Sequence, residues 1–262
     1  MRPQWRHAVS VETDRYETFT ATEDYRAGRL RKARVIAHLC GPYLAGSARA
    51  ADLGAGTGII RKALEVELGN PIFGLEIDSE FIVEKERMVR GDVLRIPFAS
   101  ESLDFVMLNH LYEHVPDTGE LFRETYRVLR PGGRAYVTAG SRFAIVEPHY
   151  RLPFLSWLPK GSAGAYLRIT RRGRSYDDIR FLTYRPLTRL MRSAGFIIHD
   201  VTERAIDDLI RMAWGERWGA VWGALRRMPA GVRRSFLRTG SPQWFFFLER
   251  PARPSDALEI SE

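Results

Sequence analysis

Three glycines at alternate positions, Gly54, Gly56 and Gly58, follow an acid, Asp52, in the run ADLGAGTG over 51–58. Glycine lets a backbone take positive φ and come close to a ligand. The helical pattern that starts behind the loop offers unpaired N–H groups at its first turn. The G-x-G-x-G spacing departs from the G-x-G-x-x-G of dinucleotide sites, since Ile59 stands where their third glycine would fall. An acid just before the glycines repels a pyrophosphate and suits a cation such as an amino-acid ammonium. Two groups of proton-handling side chains lie further on. His110, Tyr112, Glu113 and His114 follow one apolar run, and Glu147 and His149 come after the next. At helical spacing His110 and His114 share a face, where Glu113 can orient one of them. His149 is the first candidate for a general base, followed by His114 and Tyr112. No spacing among these residues matches a metal-ligand pattern, so no metal is expected.

The elements that must hold these residues alternate. RAADL is a short strand before the glycines and 59–68 a helix after them. PIFGLEI (71–77) is a strand, a short helix is expected over 79–86, and RMVRGD closes a strand near 90. LDFVMLN (103–109) is a fully apolar strand. Leu121, Phe122, Thr125, Val128 and Leu129 mark one face of a helix over 117–129, and RAYVTA (134–139) is the next strand after a Pro131-Gly132-Gly133 turn. A helix over 28–45 precedes this series. From 140 to 182 the pattern gives way to Arg, Pro, Gly and aromatic residues. A helix over 184–194, a strand at FIIHDV (196–201), a long helical pattern over 205–228 and a strand at QWFFFLE (243–249) complete the chain. Seven apolar strands separated by helices imply an α/β fold with a mostly parallel sheet covered on both faces.

In this order the motifs resemble the class I S-adenosylmethionine (SAM) dependent methyltransferases, above all the small-molecule branch of ubiquinone/menaquinone-type enzymes. The likeness covers roughly 30–139, and more weakly 183–203 and 243–250. It rests on Asp52 to Gly58, Gly74-Leu75-Glu76-Ile77-Asp78, Gly91-Asp92-Val93, Ile96-Pro97-Phe98, Leu103-Asp104-Phe105-Val106 and Arg127-Val128-Leu129-Arg130-Pro131-Gly132-Gly133. It implies a Rossmann-like, seven-stranded domain over 28–250, with an N-terminal cover segment (1–27) and acceptor or lid insertions at 140–182 and 204–241; the polar stretch 251–262, with two prolines, reads as a disordered tail. It also implies that Asp52, Gly54, Ala55, Gly56 and Gly58 wrap the methionine part of SAM. Glu76, with Ile77, would take the ribose hydroxyls, Asp92 and Val93 would meet the adenine, and Asn109 would close the site at the end of strand four. The segment between Glu76 and Asp92 is shorter than the family's usual helix. An Asn-Pro-Pro-Tyr-like motif, the mark of enzymes that methylate exocyclic amines, is missing after strand four. Transfer to oxygen is therefore the expected reaction, with a small-molecule, glycan or lipid-linked acceptor. An RNA or protein acceptor, or a non-catalytic SAM-binding module, are the alternatives.

Charge separates the two halves. Residues 1–150 are nearly neutral, whereas 151–250 carry 19 basic and 8 acidic side chains, a net +11. Such a surface favours phosphates, nucleic acid or an anionic membrane. In 140–182, Phe143, Tyr150, Phe154, Trp157, Tyr166 and Tyr176 lie among arginines, a mixture suited to a sugar, a lipid-linked phosphate or stacked bases. Trp214, Trp218 and Trp222 recur every four residues in 205–228, with Arg226 and Arg227 beyond. That pattern fits either a helix covering the core or one lying in a membrane interface. The single cysteine, Cys40, and the lack of a secretory pattern fit the cytoplasm, with peripheral membrane contact through that helix.

Overall fold

The computed structural model describes residues 23–44 and 49–252, less the side chains of 81 and 213–218. Its strands are β1 (Ala50–Leu53), β2 (Ile72–Glu76), β3 (Met88–Arg90), β4 (Leu103–Asn109), β5 (Leu129–Gly140), β6 (Val146–Glu147), β7 (Leu152–Pro153), β8 (Ile197–Asp200) and β9 (Gln243–Glu249). The helices are α1 (Glu23–Leu44), α2 (Ile59–Leu68), α3 (Thr118–Val128), α4 (Lys160–Ile169), α5 (Tyr184–Ser193), α6 (Thr202–Leu209), α7 (Gly215–Arg226) and α8 (Ala230–Gly240). Seven strands form one sheet in the order β3-β2-β1-β4-β5-β9-β8. The first five are parallel; β9 runs antiparallel between β5 and β8. The expected Rossmann-like sheet is present.

Strand alternation divides the core between the two faces. Trp244, Phe246 and Leu248 of β9 pack with Val106, Leu108 and Val137 against α3 and α5. Phe245 and Phe247 pack with Phe105, Met107 and Tyr136 against α1, α2 and α6. A third, smaller core of Leu152, Leu155, Ala163, Leu167, Tyr176 and Ile179 sits within 141–182. That stretch therefore has its own packing, built on the β6–β7 hairpin and α4.

Several elements differ from the sequence expectation. α1 begins at Glu23, so residues 23–27 are helix; the rest of the expected cover segment, 1–22, lies outside the described residues, as does the tail from 253. The helix expected over 79–86 is only a 3-10 turn, Ser79–Phe81. The backbone N–H groups of Val83 and Glu84 both donate to the Thr57 carbonyl at 3.0 Å, which ties this segment to the glycine loop rather than to a helix of its own. β5 starts at Leu129, ahead of the Pro131-Gly132-Gly133 turn, and its register on β4 shifts there. The long helix over 205–228 is interrupted by a π turn at Ile210–Trp214. Trp222 is buried, and its indole N–H donates to Asp207 at 2.5 Å. It is not offered to a membrane; the side chains of Trp214 and Trp218 lie outside the described residues. No helix among the described residues is long and apolar enough to cross a membrane.

Phe246 is fully buried between β5 and β8, so truncation leaves a cavity that the sheet cannot close. Phe246→Ala is expected to lower the unfolding free energy by about 3–5 kcal/mol, read from urea melts.

Candidate functional site

The site lies beyond the carboxyl ends of β1, β2 and β4, where open α/β sheets bind ligands. Gly54 and Ala55 both donate their N–H to the Leu75 carbonyl, at 2.8 and 3.1 Å, which folds the loop onto the end of β2. Gly54, Gly56 and Gly58 have φ of 68°, 55° and 76°, the left-handed region that favours glycine. A Cβ at Gly54 would meet Leu111 at 2.6 Å and one at Gly58 would meet the Glu84 carbonyl at 2.7 Å. Gly56 has open space on that side, so the loop presents bare backbone to a ligand.

Carboxylates surround this turn. Asp52 is buried, and burial pushes its carboxyl up to about 7 against the pull of buried Arg61; Glu76 adds to the rise, while Lys32 and Arg29 oppose it. A cation arriving beside Asp52 would restore its charge. Glu76 accepts from Gly56 N at 2.8 Å through Oε2, and from Ile77 N at 2.9 Å and Asp78 N at 3.2 Å through Oε1. Oε2 keeps a further acceptor position, as a carboxylate oxygen has two. Ile77 leaves an apolar side chain half-open next to it. Asp92 is exposed and accepts from Leu94 N at 2.9 Å, with Val93 buried beneath it. Asn109 Oδ1 accepts from the Thr138 hydroxyl at 2.7 Å, which fixes the amide at the end of β4.

Lys32 of α1 is a member of this group that motif reading missed. Desolvation, helped by Arg29, lowers its ammonium to about 7 against the attraction of Glu113 and Asp52. Its signal in the sequence was slight: two basic residues, Arg29 and Lys32, three apart on a helix that packs over α2.

Past β4 the backbone turns sharply. His110 has φ of 53°, and a 3-10 turn spans Tyr112–His114. No helix sets His110 and His114 on one face; each has a different partner. His110 Nδ1 lies 3.1 Å from Glu113 Oε1. Glu113 is fully buried, and its Oε2 has no hydrogen-bond partner. Burial would raise this carboxyl, but the bond from His110 and the attraction of His110 and His114 outweigh it and hold it low. Desolvation lowers His110, with Lys32 adding to the fall.

His149 Nδ1 lies 2.6 Å from Oε1 of Glu147, also fully buried, and Glu147 Oε2 accepts from Tyr150 N at 2.7 Å. The other ring nitrogen, Nε2, lies 3.2 Å from His114 Nε2, the rings meeting edge to face. The partners assign the protons. Neutral His149 gives its Nδ1–H to Glu147 and accepts at Nε2. His114 then donates from Nε2 and carries its lone pair on Nδ1. His114 keeps an open edge, yet the protein around it pushes it down to about 4, by desolvation first and by His149 in addition, against the attraction of Glu113. Tyr112 takes no part in this chain. Its buried hydroxyl donates to the Gly140 carbonyl at 2.5 Å and accepts from Leu182 N at 3.1 Å, so backbone occupies the phenol expected to handle a proton. Among the described residues no group of three or more His, Cys, Asp and Glu is placed to hold a metal ion.

Residues 51–137 match the methyltransferase domain family. A demethylmenaquinone methyltransferase of Lactiplantibacillus plantarum is 26% identical over 59% of this chain and 72% of its own length. A ubiquinone biosynthesis O-methyltransferase of Pseudomonas putida is 29% identical over 53% of this chain and 69% of its own. The fold is shared with a SAM-dependent methyltransferase of Thermotoga maritima described as a possible histamine N-methyltransferase: TM-score 0.54, 19% identity, 93% of this chain and 99% of that one.

The open backbone at Gly56, the charge-starved Asp52 and the spare acceptor of Glu76 fit an amino acid joined to a nucleoside. Asp52→Asn is expected to weaken SAM binding about tenfold or more, a loss of about 1.4 kcal/mol or more by calorimetry. In the wild type, an ammonium needs ionised Asp52. Below pH 7 that carboxyl is protonated, so affinity should fall by up to about tenfold per pH unit.

Proposed function

We propose that this chain, a class I SAM-dependent methyltransferase, moves the methyl group to an oxygen of a small lipophilic acceptor, and that Glu147, His149 and His114 remove the acceptor's proton. The observation that carries the reading is the hydrogen-bonded chain from buried Glu147 through His149 to His114. SAM supplies a methyl group on a sulfonium, which leaves as a neutral thioether. A hydroxyl acceptor must still lose a proton to become a good nucleophile. The acceptor O–H gives its proton to His114 Nδ1, and His114 passes the Nε2 proton to His149 Nε2. His149 becomes an imidazolium, balanced by the Glu147 carboxylate on Nδ1. His114 alone is too weak a base to keep the proton, since its own value lies near 4. The fully buried carboxylate behind His149 fixes that ring through its Nδ1–H and faces the charge the ring takes up.

Asp52, Gly54, Ala55, Gly56, Gly58, Glu76, Ile77, Asp92, Val93 and Asn109 hold the cofactor in this reading. Arg29 and Lys32 add positive charge near the methionine end. The 141–182 region and α6–α8 shape the acceptor side. The names of the two relatives support a quinone-type ring as acceptor and oxygen as one atom that receives the methyl group. A glycan-type acceptor has no comparable support. Cys40 is buried and unpaired, which supports a cytoplasmic setting.

His149→Ala is expected to lower kcat about 10²–10⁴-fold with SAM affinity unchanged. Glu147→Gln should lower kcat in the same direction, while Tyr112→Phe should change stability more than turnover. The readouts are single-turnover kinetics with quinol acceptors of increasing tail length and calorimetry with SAM. A His149→Ala enzyme that turns over at full speed overturns the relay.

A further inference from the structure

The 141–182 insertion buries its inner side and leaves an apolar outer side uncovered. Phe143, Ile145, Val146, Phe154 and Trp157 are each between 39% and 60% exposed. They are one patch rather than scattered residues. The Trp157 ring meets Phe143 at 5.6 Å and Phe154 at 5.2 Å, both edge to face. Phe154 donates its N–H to the Ile145 carbonyl at 2.7 Å, and Val146 pairs with Pro153 across the hairpin. The indole N–H of Trp157 donates to the Ala144 carbonyl at 3.0 Å, so the ring shows solvent little but carbon. Phe154 holds φ of 56°, an unfavourable backbone for a bulky residue, and still leaves its ring half in water.

The insertion is cationic on balance. From 141 to 182 the chain carries eight basic residues and three acids, of which Glu147 is buried and Asp177 and Asp178 are exposed. Arg142, Arg151 and Lys160 are exposed beside the apolar side chains. Aromatic and aliphatic groups at the tip and an excess of cations around them match an anionic bilayer surface: apolar groups enter the acyl boundary while arginines meet headgroup phosphates. Aliphatic Ile145 and Val146 have no face on which a base can stack, which disfavours RNA. A two-fold contact with a second copy would set this cationic rim against itself.

We infer that the Phe143–Trp157 hairpin region is a membrane-docking surface for bilayers containing anionic lipid. On 205–228, by contrast, Trp222 is buried. The same hairpin carries Glu147 and His149, so docking places the mouth of the relay at the lipid surface. That last step rests on the function proposed above; docking itself does not.

The test is co-sedimentation of the full chain with phosphatidylcholine vesicles, with and without phosphatidylglycerol, at low and high salt. Binding should need phosphatidylglycerol and fall with salt. It should weaken at least tenfold in Ile145→Asp and in Phe154→Gly, a change that removes the ring and suits the left-handed backbone. SAM affinity of both variants, measured by calorimetry, should match the wild type. No binding to anionic vesicles at low salt overturns the inference, and so do variants that bind as well as wild type. Binding to poly(U) in place of vesicles, or self-association in place of vesicle binding, overturns it in favour of RNA or a second copy. Loss of SAM binding by the wild type would count against the methyltransferase reading and leave vesicle binding to be judged separately.

Discussion

The parallel pairing of β1 with two neighbours at once fixes where everything else lies. Leu53 sits beside Leu75 of β2 and Leu108 of β4. The next residues of all three therefore stand at one level on the carboxyl edge: Gly54 just past β1, Glu76 the last of β2 and Asn109 the last of β4. Hydrogen bonds across a parallel ladder permit no partial slip, because a one-residue shift would turn every side chain to the other face. The glycine loop, the acid above it and the turn that carries His110 and His114 are set by that register. Thr57 then holds the following segment through Val83 and Glu84, and Glu76 closes back on Gly56.

On this scaffold the protein keeps ionisable groups out of water, an arrangement that costs stability unless each has a partner. Glu113 and Glu147 are both fully buried, and each meets a histidine. Glu147 is fully engaged, by His149 and by Tyr150 N. Glu113 keeps one oxygen without a partner, and Asp52 lies where its charge is poorly supported. Asp52 and Glu113 both act on Lys32, so a charged ligand at the glycine loop would meet a demand that Glu147 does not have.

Local patterns carried most of the sheet. Apolar runs bounded by Pro, Gly and Asp read as strands because parallel strands covered on both faces have no polar side to confuse the pattern. The glycine turn was legible for the same reason: three positive-φ positions tolerate few other residues. What escaped the sequence depends on contacts between distant segments. Glu80 to Arg87 has helical composition, but Thr57 captures two of its N–H groups. Lys32 gains its altered charge only because α1 brings it near Asp52 and Glu113. His114 and His149, 35 residues apart, meet through the folding of the insertion, which no spacing rule describes. The tryptophan period in 205–228 was real, but periodicity alone does not say which side of a helix faces the core, and Trp222 turned inward toward Asp207.

Tyr112 joins the two ends of the insertion on a single atom. Its hydroxyl reaches Gly140, where the insertion leaves the sheet, and Leu182, where it returns. Arg142 N bonds to the Leu182 carbonyl beside it. With the exit and re-entry points clamped together, the segment between them behaves as a cassette. The entropy of closing such a loop grows slowly with length, about 0.6 kcal/mol per doubling, so the cassette can lengthen, shorten or be exchanged at little expense to the strands. Relatives that keep a tyrosine and a closed gate at these positions are free to diverge in everything the gate encloses. The insertion can then vary on one side of a phenol while the sheet stays unchanged on the other.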